Sequence, residues 1–160
     1  MLILGVDPGY AIVGYGVVRY IAPRFAPVEF GAIVTEPSQE FSERLDVIYR
    51  RMTEIIERRK PDVISIEKLY YTTNAKTVIG VAEARGVILL AAQQAGIPVR
   101  EYTPLQVKSA VTGHGKSVKA QVQEMTRRLL CLKEVPKPDD TADALAVAIC
   151  HAHHARRMEN

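Results

Sequence analysis

Four carboxylates, Asp7, Glu67, Asp140 and Asp143, stand at positions where a fold would present them together at one rim of a sheet. Asp7 closes the apolar run Leu2-Ile3-Leu4-Gly5-Val6 and is followed by Pro8-Gly9, so a buried strand stops there and its last side chain meets a turn. Glu67 repeats the arrangement after Val63-Ile64-Ser65-Ile66, which follows the helix-breaking Lys60-Pro61-Asp62. Asp140 and Asp143 share one face of the helical stretch Asp140-Thr141-Ala142-Asp143-Ala144-Leu145-Ala146, because i and i+3 side chains are neighbours. Gathered carboxylates repel by roughly 4 kcal/mol per pair at about 4 Å and an effective dielectric of about 20. A hard divalent cation removes that cost, and a ligand set made only of oxygen favours Mg²⁺ or Mn²⁺ over Zn²⁺. Two such ions about 3.5 to 4 Å apart form the clamp used for in-line phosphodiester displacement. Phosphodiester hydrolysis is the chemistry this set suggests.

Each acid taken alone is an ordinary turn residue or helix cap. The combination is what carries the reading. Pro138-Asp139-Asp140 offers two acids at a helix start; Asp139 is assigned to the N-cap and Asp140 to the site.

The elements that must position these acids follow from the same sequence. After Asp7, residues 14–20 and 28–34 are β-rich runs separated by turns, an antiparallel meander. Gly9, Gly14 and Gly16 would leave the strand surface beside Asp7 open to a nucleic-acid backbone, a role that competes with bulges or packing. Residues 38–60 carry helical apolar spacing at Leu45, Ile48, Met52, Ile55 and Ile56, with Arg44, Arg50, Arg51, Arg58 and Arg59 forming a solvated face. A second helix over about 74–95 is rich in small and aliphatic residues and reads as buried on more than one side. Strand 97–102 then completes a parallel crossover with the strand ending at Glu67. Thr103-Pro104 caps a short helix, Gly113-His114-Gly115-Lys116-Ser117 breaks the chain, residues 118–130 form another helix, and Pro136-Lys137-Pro138 introduces the last.

At 160 residues the chain is long enough to bury the core of one compact domain over 1–160, without staples. Cys131 and Cys150 give neither metal spacing nor a disulfide framework, so both are expected in the packing of a cytoplasmic protein. The absence of a long apolar run or charged leader predicts a chain that neither spans a membrane nor is secreted. A net charge of +3 is compatible with a polyanion but does not establish one. His114 reads as an exposed loop residue, and His151, His153 and His154 as a frayed helix end or basic tail.

The order βββ-α-β-α-β followed by helices, with acids closing the first and fourth strands and opening the last helix, resembles the ribonuclease H-like α/β fold. That fold has a five-stranded mixed sheet, the first three strands antiparallel and the last two parallel, flanked by helices. Gly5-Val6-Asp7-Pro8-Gly9, Ile66-Glu67-Lys68-Leu69-Tyr70, Ala84-Arg85-Gly86, Gln106-Val107-Lys108, Lys119-Ala120-Gln121-Val122 and Asp140 to Ala146 are similar, in order, to motifs of the bacterial Holliday junction resolvases of the RuvC family. The resemblance implies a metal-binding catalytic tetrad at Asp7, Glu67, Asp140 and Asp143. It implies two Mg²⁺ per subunit, with Mn²⁺ able to substitute. Tyr70 matches an aromatic at the junction centre, Lys108 and Lys119 match basic positions beside the site, and Lys116 is read as a nonspecific phosphate contact. The implied activity is paired, symmetric cleavage of four-way DNA junctions in recombination and repair, by a homodimer, to ligatable 5′-phosphate and 3′-hydroxyl nicks. RuvA and RuvB are the implied branch-migration partners. The helix over 74–95, through Val78, Ala82, Leu89 and Ala91, is the expected dimer interface.

Three other readings compete for these residues. Asp7-Pro8-Gly9 resembles the first phosphate loop of actin-like and sugar-kinase ATPases, which need a second domain. Another ribonuclease H-like enzyme, acting on RNA, is the second, and a substrate panel separates it. A junction-binding module without activity leaves the tetrad unexplained.

Overall fold

The apolar run that ends in Asp7 becomes the middle strand of a five-stranded sheet of order β3-β2-β1-β4-β5. The computed structural model describes residues 1–69 and 75–158. Along these residues the elements are β1 (Leu2–Asp7), β2 (Ile12–Ile21), β3 (Arg24–Val34), α1 (Phe41–Arg59), β4 (Val63–Glu67), α2 (Ala75–Gln94), β5 (Val99–Tyr102), α3 (Pro104–Thr112), α4 (Lys119–Leu129) and α5 (Asp139–Met158). β1, β2 and β3 form the antiparallel meander. β4 runs parallel to both β1 and β5.

β1 is buried on both faces, as a strand without polar alternation must be. On one side Leu4, Val6, Val17, Ile64 and Ile66 pack against Ile48, Met52 and Ile56 of α1 and Ala84, Ile88 and Ala92 of α2. On the other, Ile3, Val18 and Val63 meet α3, α4 and the central turns of α5, which are buried from Ala144 to Ala152. The result is three layers, with the sheet between two helical sheets of cover. α3 begins as expected: the Thr103 hydroxyl accepts from the Gln106 amide at 3.1 Å, and the Gln106 side-chain oxygen accepts from the Thr103 amide at 2.8 Å.

Several sequence expectations change. α2 is covered on one side only: Ala84, Ile88, Ala91 and Ala92 are core, while Ile79 is 62% and Leu90 49% exposed. Ala91 therefore leaves the interface set. Cys150 is buried but Cys131 is exposed, so only the former is packing. The α1 arginines are not one solvated face. Arg50 and Arg51 pair with Asp46 and Glu54 on the surface, but Arg58 and Arg59 both grip Glu29 of β3. Arg44 donates to the Thr35 hydroxyl at 2.8 Å and to the Tyr10 carbonyl at 3.2 Å, with its guanidinium over the Tyr10 ring. That clamp holds the turn just after Asp7. His151, His153 and His154 lie within α5 rather than in a frayed tail, and His151 is buried. Among the described residues no helix is long and apolar enough to cross a membrane.

Candidate active site

Register sets the first two acids side by side. Val6 of β1 lies opposite Ile66 of β4 in parallel pairing, so Asp7 and Glu67, the next residue of each strand, leave the sheet at the same end. Asp140 and Asp143 arrive from the opposite layer on the first turns of α5. Their approach depends on glycine. A Cβ at Gly14, the register partner of Asp7, would stand 1.9 Å from the Asp140 carbonyl oxygen, and one at Gly5 would stand 2.0 Å from that of Ala144. Gly16 is likewise filled by Leu145. These glycines therefore admit the α5 backbone and do not offer a bare strand to DNA, which settles their role in favour of packing. Thr141, wholly buried between the two helix acids, donates to the Gly31 carbonyl of β3 at 3.0 Å and fixes the start of α5 over the sheet.

The four acids are close enough to act on one another. Burial pushes the Asp7 carboxyl up to about 8, with Asp143, Glu67 and Asp140 adding to the shift and Lys119 opposing it. Burial and then Asp143 hold Glu67 above its usual range, against Lys108 and Lys119. Asp143 also stays above its ordinary value, because burial outweighs the 2.9 Å ion pair from Lys119. That same bond raises Lys119. Asp139 proves to be the first residue of α5 and not its cap; it pairs with Lys137 at 2.8 Å and Lys119 at 3.7 Å, and Lys137 holds it below the usual carboxylate range.

A cleft of about 230 Å³ opens here, walled by Glu67, Asp143, Lys108 and Lys119 with Pro104 and Val107. Lys116 is elsewhere. It is exposed in the α3–α4 connection and lines a separate concavity of about 710 Å³ with His114, Glu124 and Arg128. Tyr70 lies outside the described residues. Among the described residues no three carboxylate, imidazole or thiol side chains are drawn together into a finished ligand set. What the site does have is an all-oxygen donor set, partly buried and short of positive charge, and a hard divalent cation fits that chemistry.

Comparison with known proteins bears on this geometry. Residues 3–151 match the family model described as crossover junction endodeoxyribonuclease RuvC. The chain belongs to the RuvC family. The RuvC of Pelotomaculum thermopropionicum is 56% identical over 154 residues, covering 96% of this chain and 94% of that protein. The structure of Thermus thermophilus RuvC is 37% identical with a TM-score of 0.91, covering 99% of this chain and 97% of the other. T. thermophilus RuvC in complex with Holliday junction substrate superposes with a TM-score of 0.94, covering 99% and 96%. The sheet and its flanking helices are thus the ribonuclease H-like fold that RuvC proteins share, as the element order predicts.

Sequence reading missed two groups that shape the site. Helical spacing puts Arg44 in a solvated face, and only its pairing with Tyr10 and Thr35 reveals the clamp behind Asp7. Tyr102 gave no signal beyond ending a strand. Its backbone is the register partner of Glu67.

Proposed function

We propose that this chain, as one domain over 1–160, is a divalent-metal-dependent endonuclease that resolves four-way DNA junctions by paired, symmetric hydrolysis. One observation carries the reading. Carboxylates from β1, β4 and α5 meet at one end of the sheet beside Lys108 and Lys119, in a chain of the RuvC family.

Asp7, Glu67, Asp140 and Asp143 would hold the cations, two Mg²⁺ or Mn²⁺. When bound, these ions polarise the scissile phosphate and lower the pKa of the attacking water. The remaining work falls to the protein. Burial of Asp7 and Glu67 keeps the local dielectric low, which strengthens every charge interaction with a phosphate. Lys119 offsets the repulsion among the acids through Asp143, and with 57% of its side chain exposed it can also meet the DNA backbone. Lys108 lines the same cleft from α3. Lys116 adds a phosphate contact away from the cleft, and Tyr70 is proposed as the stacking residue at the junction centre.

A junction offers two equivalent strands, so resolution needs two sites related by a two-fold axis. The exposed α2 face of Ile79, Ala82, Gly86 and Leu90 supports this, with apolar and small residues at helical spacing and no cover among the described residues. The partner is a second copy. RuvA and RuvB are proposed as the branch-migration partners, in the cytoplasm.

A synthetic junction labelled on each strand tests the reading. The expected products with Mg²⁺ or Mn²⁺ are symmetric nick pairs bearing 5′-phosphate and 3′-hydroxyl ends that ligase seals. Cleavage undiminished in chelator, or equal cutting of linear duplex, would refute it. Leu90→Glu together with Ile79→Glu should halve the mass measured by light scattering and convert paired cuts into single nicks. A double variant that stays dimeric removes α2 from the interface.

A further inference from the structure

Three of the elements that carry the site, β4, α3 and α5, meet behind it at one side chain. Tyr102 ends β5 directly beside Glu67, and its carbonyl accepts from the amide of Lys68, fixing the peptide that follows Glu67, at 2.8 Å. The next residue, Thr103, caps α3, so Tyr102 also sets where α3 starts and hence where Lys108 reaches the cleft. Its phenol runs into the opposite layer, where the hydroxyl lies 2.8 Å from Nδ1 of His151 on α5, the helix that carries Asp140 and Asp143. Both residues are buried, at 7% and 8% exposure. Burial lowers the His151 pKa, helped by Arg100 and His154, which favours the neutral ring as acceptor of a hydrogen bond from the phenol. The His151 and His154 rings pack against the phenol at centroid distances of 5.9 and 4.9 Å. His153 closes the bracket, its Nδ1–H donating to the Ala110 carbonyl near the end of α3 at 2.8 Å.

We propose that Tyr102, through its buried hydrogen bond to His151, is a positioning residue that sets Glu67 and Lys108 against the acids of α5. A ring that only filled the core would need no hydroxyl at this place. Close packing at Gly5 and Gly14 seats the first turns of α5 on the sheet, and a directional bond with both partners buried fixes the register further along, at the end of β5. Ser65, two residues before Glu67, makes a similar tie, donating to the Val147 carbonyl of α5 at 2.8 Å. Tyr102 differs in joining β4, α3 and α5 at once.

The inference rests on the reading of the tetrad as the reacting centre. Its test uses the full chain as wild type, Tyr102→Phe and Tyr102→Phe/His151→Leu, following single-turnover junction cleavage, junction affinity, Tm and the rise in Tm with added Mg²⁺. Tyr102→Phe keeps the ring but strands a buried imidazole nitrogen, so Tm falls; the double variant removes both polar partners and recovers most of it. The cleavage rate should fall about tenfold in the single variant with junction affinity unchanged, and stay low in the double variant although Tm returns. The Mg²⁺ concentration giving half the thermal shift should rise several-fold in both. Recovery of cleavage together with Tm, or a Tyr102→Phe variant with the wild-type rate and Mg²⁺ response, overturns the positioning role and leaves the tetrad reading intact. A wild-type chain that cuts no junction fails at the earlier step and removes both.

Discussion

Asp7→Asn is expected to abolish junction cleavage while leaving junction affinity intact and making the metal-free chain more stable. The loss of rate should be about 10³-fold or more, the scale seen when one group that stabilises developing charge is removed. Affinity persists because it rests on phosphate contacts from lysines that the substitution does not touch. The stability gain follows from the Asp7 carboxyl, which burial and its three acidic neighbours push up from 3.8 to about 8. A carboxyl with a raised folded-state pKa binds its proton more tightly folded than unfolded. Its contribution is therefore fully present below about pH 4 and is lost as pH rises through 8. Asparagine is neutral throughout. The variant's advantage in chelator should grow across that window, at up to about 1.4 kcal/mol per pH unit, and level off above it. By pH 8 that corresponds to a Tm roughly 10 °C higher, and saturating Mg²⁺ should narrow the gap by stabilising only the wild type. Thermal scans with chelator at pH 5 and pH 8 provide the check. A pH-independent gap would mean that Asp7 is already ionised and compensated in the folded chain.

Gly14→Ala should be among the most damaging single-methyl changes in the protein. The new Cβ would sit 1.9 Å from the Asp140 carbonyl oxygen, 2.2 Å from its carbon and 2.8 Å from the Thr141 amide. All three are backbone atoms, so no rotamer change relieves the clash and the start of α5 must lift from β2. Lifting it also strains the 3.0 Å bond from Thr141 to Gly31 and moves Asp140 away from Asp7. The expected loss is about 4 kcal/mol or more, enough to lower Tm by roughly 10 °C, with cleavage lost even at temperatures where the chain is still folded. Gly86→Ala is the contrast. Within one copy, nothing among the described residues lies within 4 Å of a Cβ there, and alanine in a helix interior gains about 0.5–1 kcal/mol over glycine. Chemical denaturation of both variants would distinguish them, and a Gly14→Ala chain as stable as wild type would mean that α5 does not sit where its contacts with the sheet place it.

The candidate site was legible wherever the signal was local. Asp7 and Glu67 each end a short apolar run before a turn, Asp140 and Asp143 sit three apart on a helix, and Thr103-Pro104 with Gln106 spells a capped start; neighbours in sequence decide each of these. One local reading failed, since Asp139 opens α5 instead of capping it; the others that failed were those in which two distant surfaces compete for one residue. α2 is apolar on all sides, so periodicity could not say that Ala91 would face the core and Leu90 solvent; the position of α1 and β4 decides that. The α5 histidines read as a basic end because nothing near them in sequence announces Tyr102 or Ala110 as partners.

The sequence by itself determined the element types, the strand-end and helix-start places of the acids and the oxygen-only chemistry they offer, since backbone propensity, periodicity and capping act within a few residues. Only the tertiary structure decided that β1 lies beside β4, that α5 settles its backbone into the gaps left by Gly5 and Gly14, and that Lys119 rests on Asp143. Strand order and helix docking are chosen by burial summed over both faces of the sheet and by close packing between residues far apart in the chain, and no local pattern encodes either.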